Sequence, residues 1–95
     1  MTGTQLRELL VRKWGRSYDV QILRRGERRF FQVMWRYLEQ GSFELSEAEY
    51  DARLERVSYY LTEWEVSAQV EEFLARTREK PRIGRAVSFP LGLKS

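Results

Sequence analysis

The most chemically suggestive feature of this sequence is a cluster of arginines around a glycine. Two adjacent pairs flank Gly26-Glu27, namely Arg24, Arg25, Arg28 and Arg29. Guanidinium groups bind phosphates and carboxylates through paired hydrogen bonds, so the cluster predicts contact with an anionic partner. The structural alternative is a solvated turn whose charges keep sheet edges from aggregating.

Catalytic chemistry has few candidate residues in this chain. Cysteine and histidine are both absent, which removes thiolate nucleophiles, the commonest general base and the usual zinc ligands. The most acidic neighbourhood falls on predicted helix surfaces, and no spacing confines two of its carboxylates as an acid and base pair; its residues are Glu63, Glu65, Glu71 and Glu72. We therefore expect a protein that is not an enzyme and has no cofactor or metal.

The arginines belong to residues 18–37, whose alternating apolar side chains predict a β-hairpin. Gly26 stands at the first central position of the turn, where a type II′ geometry needs positive φ. The preferred register places apolar residues together on one face. Its pairs are Tyr18 with Trp35, Val20 with Val33, Ile22 with Phe31, Arg24 with Arg29, and Arg25 with Arg28.

The second face of this hairpin mixes polar and apolar residues. Leu23, Phe30 and Met34 alternate there with shorter polar side chains. A half-apolar face is either thinly covered or a binding surface. We take these three residues, together with the arginines, as candidate partner-binding residues.

Three helices are predicted around the hairpin. Thr4 is the expected N-cap of the first, which ends at Gly15. Ser46 and Glu49 form a capping box for the second helix, and Ser67 is the expected N-cap of the third. The apolar residues expected to face the core are Leu6, Leu9, Leu10, Tyr50, Leu54, Val57, Leu61, Trp64, Val70, Phe73 and Leu74.

A basic run follows the third helix. Arg76, Arg78 and Lys80 are expected at its C-terminal end, where the helix dipole favours cations, and Pro81 ends the helix. Residues 1–81 are predicted to form a single domain, and residues 82–95 a C-terminal extension. Its alternating apolar residues predict a third, edge strand, or a segment that docks on a partner. Its candidate partner-binding residues are Arg82, Arg85, Val87 and Phe89.

The net charge of +3 is unevenly distributed. Residues 1–41 carry a net +5, residues 42–76 a net −6, and residues 77–95 a net +4. A bipolar surface of this kind can attract a partner of either sign or pair its own layers. Neither a signal peptide nor a membrane span is visible, and we expect a cytoplasmic protein.

Several words of the sequence resemble a small uncharacterised family of cyanobacteria and chloroplasts. They are KWGRSYDV at 13–20, QVMW at 32–35, YLEQ at 37–40, LSEAEY at 45–50 and TREKPR at 77–82. The resemblance implies a cyanobacterial cytosolic or stromal protein, working beside the thylakoid in assembly or upkeep of the photosynthetic electron-transfer machinery. It carries over no catalytic residues.

The sequence thus predicts an α+β domain in the order α-β-β-α-α with a possible terminal strand, its helices packed on one face of a small antiparallel sheet. A non-catalytic protein-interaction or assembly factor is the first function hypothesis. The alternative is an RNA-binding module whose arginines contact phosphates while Phe30 stacks on bases. We expect a monomer or a weak homodimer through a strand edge, and at most peripheral contact with a membrane.

Overall fold

The computed structural model of this protein describes residues 1–93, in which three helices and three strands alternate as α-β-β-α-α-β. The elements are α1 (Gly3–Trp14), β1 (Tyr18–Arg25), β2 (Arg28–Tyr37), α2 (Glu47–Glu63), α3 (Ser67–Arg76) and β3 (Val87–Pro90). The strands form one antiparallel sheet in the order β1-β2-β3. The predicted α+β fold and its C-terminal edge strand are confirmed. Residues 94 and 95 of the predicted extension lie outside the described residues.

The hairpin register is confirmed over most of its length, from Val20 paired with Val33 to Arg25 paired with Arg28. Gly26 has a φ of 62°, as the predicted turn requires. The predicted pair of Tyr18 with Trp35 is wrong, because Tyr18 pairs with Tyr37. Residues 34–36 stand opposite the single residue 19, and such a bulge bends the strand and shifts the pairing beyond it.

All three helices contribute to one hydrophobic core on a single face of the sheet. Fully buried side chains of the sheet meet fully buried side chains of each helix, and each such burial contributes about 1.5–3 kcal/mol relative to exposure. These residues are Val20, Phe31, Val33 and Val87 from the sheet, Leu6 and Leu10 from α1, Tyr50, Leu54 and Leu61 from α2, and Val70 and Leu74 from α3.

Capping decides where the first two helices begin. The Ser46 capping box is confirmed, with hydrogen bonds of 3.1 Å from the Glu49 amide and 2.9 Å to the Glu49 carboxylate. The prediction of Thr4 as N-cap of α1 is wrong, because Thr2 caps the helix. Helix α1 begins earlier since the Gly3 amide donates a 2.9 Å hydrogen bond to the Glu55 carboxylate of α2.

Both ends of α3 differ from the prediction. Val66, buried in the core, is its N-cap, while Ser67 lies inside the helix and its hydroxyl has no hydrogen-bond partner among residues 1–93. Placing Arg78 and Lys80 at the helix end is also wrong. The helix stops at Arg76 because the next residue is extended, so these two cations lie beyond the helix.

A membrane-spanning helix needs a long, uninterrupted apolar stretch. No helix in the described part of the chain has the length and apolar character to cross a bilayer.

Candidate docking surface

One face of the sheet carries apolar residues that no described helix covers. Leu23 and Phe30 point away from the helical layer, because they alternate with the core residues of their strands. Met34 lies on the same face, but it lines a cavity beside the β2 bulge together with Arg53 of α2. All three are half-buried, and none belongs to the core cluster. We call this surface, together with its β3 neighbours, the open face.

Hydrogen bonds fix the middle row of the open face. The Gln21 amide donates to the Gln32 side-chain oxygen at 2.7 Å, and the Gln32 amide donates to the Ser88 hydroxyl at 2.8 Å. Because the three side chains satisfy one another, they hold the three strands in a common register. Because the side chains of this polar row are already ordered, little conformational entropy is lost when a partner binds to it.

An apolar row lies next to this ladder. Leu23 pairs with Phe30, and Phe30 pairs with Pro90 of β3. Pro90 lies on an edge strand, where the missing amide costs no ladder hydrogen bond. The row is therefore a short apolar strip across all three strands, available on a rigid support.

The hairpin tip completes the surface and splits the four predicted arginines into two pairs. Arg25 and Arg28 share the open face, and neither forms an ion pair within residues 1–93. Arg24 and Arg29 lie on the helical side. There the Arg29 guanidinium stacks 5.2 Å from the Trp64 ring centroid, and the Arg24 guanidinium bonds the Gly26 carbonyl at 3.3 Å. Only one pair accompanies the apolar strip.

The C-terminal residues proposed with the tip lie elsewhere. Strand β3 runs from Val87, opposite Val33, to Pro90, opposite Phe30. Arg82 and Arg85 precede it and are therefore at the other end of the sheet from the arginine tip. The sequence placed both basic clusters among the partner-binding residues, but they do not form one surface.

Two further candidates face the core. Val87 is 2% exposed and packs in the hydrophobic core, so its side chain is not available to a partner, and its assignment as a binding residue is corrected. Phe89 stacks on Phe73 of α3 with ring centroids 4.7 Å apart. The alternation of a strand puts both side chains on the helical face.

A polar cavity that sequence reasoning missed lies beside the β2 bulge. It has a volume of about 220 Å³ and is lined by Asp19, Gln21, Met34, Arg36, Phe43, Glu44, Leu45 and Arg53. The buried Asp19 carboxylate accepts a 2.6 Å hydrogen bond from Arg53. Burial raises the pKa of the Asp19 carboxyl, although Arg53 opposes the shift. A carboxylate inside an apolar strand was the sequence signal for this ion pair.

Among residues 1–93 no group of three or more carboxylates is arranged to hold a metal ion. The buried Asp19 carboxylate is engaged by the Arg53 guanidinium, and the arginines of the tip are hydrogen-bond donors. The open face offers an apolar strip beside two cations that make no ion pair in the described chain.

Comparison with known proteins places the chain in a family. The solution NMR structure of the Alr2454 protein from the cyanobacterium Nostoc sp. strain PCC 7120 is similar, with 52% sequence identity and a TM-score of 0.92. The match covers 96% of this chain and 88% of that one. No curated protein matches the sequence. Residues 4–95 match a family profile, and the chain therefore belongs to the family described as "Domain of unknown function (DUF3067)".

Proposed function

We propose that this domain is a non-catalytic binding protein that docks an acidic partner protein on its open face. The observation that supports the proposal is the uncovered strip of Leu23, Phe30 and Pro90 beside the arginines of the tip. The helices pack on the other face of the sheet, so the strip lies outside the core cluster and is free to contact another protein.

Charge identifies the partner's chemistry. Arg25 and Arg28 stand directly opposite each other, and such like-charge pairs are destabilising within a sheet. Carboxylates of a partner would relieve this repulsion and form charge-assisted hydrogen bonds. The partner surface is therefore apolar where it meets Leu23 and Phe30, and acidic where it meets the tip.

The size of the strip sets the strength of the interaction. A three-strand face with one apolar row corresponds to a small interface, which buries less than about 1,200 Å² of surface in total. Transient complexes have interfaces of this size. Binding of this kind is reversible and weakened by salt. Such contacts suit a factor that binds its partner protein transiently, during assembly or maintenance of a complex.

The identity of the partner protein is proposed from the family resemblance. Cyanobacterial membership agrees with a role in assembly or upkeep of photosynthetic electron-transfer complexes, at the cytoplasmic or stromal face of the thylakoid. RNA binding is the competing function, favoured by the same tip arginines. RNA binding would also need several exposed aromatic rings on which bases can stack. Phe30 is the one aromatic side chain among the paired rows of the open face.

Site-specific crosslinking in a cyanobacterial extract tests the proposal. A photo-crosslinker at Ser88, exposed on the open face, should give a discrete protein adduct that survives nuclease. The same crosslinker at Tyr59, exposed on α2, is the positional control and should not give it.

Charge-reversed variants sharpen the test. Arg25→Glu with Arg28→Glu should abolish the Ser88 adduct, whereas Arg12→Glu with Lys13→Glu on α1 makes the same change in net charge and should retain it. Equal adducts at Ser88 and Tyr59 would contradict docking on the open face. An adduct that disappears with nuclease would favour RNA binding instead.

A further inference from the structure

A second group of cations lies where the chain leaves α3. Four cationic side chains line one cavity of about 350 Å³, namely Arg78, Lys80, Arg82 and Arg85. Glu79 is the one carboxylate that accompanies them. Within the described residues none of the four forms an ion pair. Gathering like charges without partners is unfavourable, and it creates a positive potential that attracts anions.

The segment that carries these cations is held in place. The Trp14 indole of α1 donates a 3.3 Å hydrogen bond to the Glu79 carbonyl, and Pro81 is buried. Two backbone hydrogen bonds of 3.1 and 2.7 Å join Arg82 and Arg85 across a tight turn. The cations therefore lie on a segment that is held in place by hydrogen bonds.

The tip of this turn presents an apolar side chain to water. Ile83 is 92% exposed, the highest exposure among the large hydrophobic residues described. Gly84 follows it with a φ of 77°, the positive value that the second central position of a type II turn requires. The backbone thus holds Ile83 outward between two arginines, although an isoleucine gains free energy when it leaves water.

We propose that the turn at residues 82–85 docks on an anionic lipid surface. Ile83 enters between the headgroups, and the four cations of the cavity contact headgroup phosphates. An apolar residue flanked by basic side chains combines the two contributions that bind peripheral proteins to membranes, namely burial of apolar area and attraction to anionic lipid.

A nucleic acid fits this cavity less well. Single-stranded nucleic acids bind through stacking on aromatic rings as well as through cations, and no aromatic residue lines the cavity. An exposed isoleucine also gives RNA nothing to bind, whereas it suits the acyl boundary of a bilayer. The inference does not depend on the proposed function, since this turn and the arginine tip lie at opposite ends of the sheet.

Vesicle flotation of the whole protein tests the proposal. The protein should float with vesicles in which phosphatidylglycerol replaces part of the phosphatidylcholine, and not with vesicles of phosphatidylcholine alone. Arg82→Gln with Arg85→Gln should lower the partition coefficient about 30-fold, because each cation near an anionic surface contributes roughly a factor of five. Ile83→Ser should lower it about tenfold. The matched control, Arg12→Gln with Arg56→Gln, removes two charges from exposed positions on α1 and α2 and should bind like wild type.

Several results would overturn the inference. Failure of the wild type to bind the anionic vesicles would do so, as would equal loss in the control, which would indicate general electrostatic attraction. NMR titration with inorganic phosphate distinguishes a soluble ligand. If phosphate shifts the amides of residues 78–86 and prevents flotation, while Ile83→Ser floats like wild type, the cavity binds soluble phosphate and no lipid surface. Circular dichroism of the variants should match wild type, since all the altered side chains are exposed.

Discussion

The Tyr50 hydroxyl of α2 donates a 2.8 Å hydrogen bond to the backbone carbonyl of Tyr18, the first residue of β1. Both side chains are buried. The bond satisfies a carbonyl at the edge of the sheet and joins the helical layer to the strand at that point. Burial raises the pKa of the Tyr50 hydroxyl above its ordinary value, which further favours the protonated form that donates this hydrogen bond.

Replacing this hydroxyl tests its contribution directly. Tyr50→Phe leaves the Tyr18 carbonyl buried without its partner and should destabilise the fold by about 1–3 kcal/mol. Tyr59→Phe removes a hydroxyl from a residue that is 58% exposed and should change stability little. Urea denaturation, with an unchanged m-value, measures both. Equal stability of the two variants would mean that the hydrogen bond contributes nothing.

Two carboxylates should give opposite pH dependence. Burial raises the pKa of Asp19, so its contribution to stability is complete below the unfolded-state pKa and is lost as pH rises through the folded-state pKa. The hydrogen bond from the Ser46 amide lowers the pKa of Glu49, whose contribution is present above the unfolded-state pKa and is lost as pH falls.

The measurement is the free energy of unfolding of each variant across the acidic range. The stability of wild type minus that of Asp19→Asn should decrease as pH rises through this window. The same difference for Glu49→Gln should increase. Slopes of the same sign for both residues would contradict the assigned environments.

The approach of α1 to α2 leaves no room for a side chain at Gly3. A Cβ there would lie 2.8 Å from the Glu55 backbone nitrogen and 3.0 Å from its Cα. Because backbone atoms cannot move aside cheaply, Gly3→Ala should destabilise the protein by about 1–3 kcal/mol. Gly41→Ala is the matched control, since nothing lies within 4 Å of that Cβ. It should be neutral or stabilising by up to about 1 kcal/mol, and thermal unfolding compares the two.

The stack of Phe89 on Phe73 fixes β3 against α3, with an interplanar angle of 21°. Phe89→Ala should cost about 2–4 kcal/mol, toward the lower range for a large core truncation, because the ring is only half-buried. Phe30→Ala, on the open face, removes the same ring without opening the core and should cost clearly less. Chemical denaturation ranks the two variants. Equal costs would show that the stack of Phe89 on Phe73 contributes no more to stability than the contacts of Phe30 on the open face.

The hairpin and the second helix were predictable because their signals are local. Strand alternation has a period of two, so one register alone placed Val20, Ile22, Phe31 and Val33 on the same face. The Ser46 capping box needs only residues three apart. The candidate site was partly predictable for the same reason, since Leu23 and Phe30 are placed by that register.

Features that depend on contacts between distant residues could not be predicted from the sequence. The β2 bulge abolishes the pairing of Tyr18 with Trp35, and the Asp19 carboxylate beside it bonds Arg53 of α2. The N-cap of α1 moved to Thr2, where Gly3 can meet Glu55. Secondary-structure propensity describes an isolated segment, whereas the bulge, the ion pair and the position of the N-cap depend on how two elements pack.

Local sequence was enough to predict which residues alternate, that Ser46 caps α2 and which residues carry charge, because each follows from neighbours along the chain. The sequence also predicted that the helices pack on one sheet face, whereas the tertiary structure showed that no described helix covers Phe30 on the other. The tertiary structure also separated the arginine tip from Arg82 and Arg85, and held Ile83 outward. The reason is that a surface is defined by what packs elsewhere, and burial of one face in a common core determines what the other face and the ends of the sheet can contact.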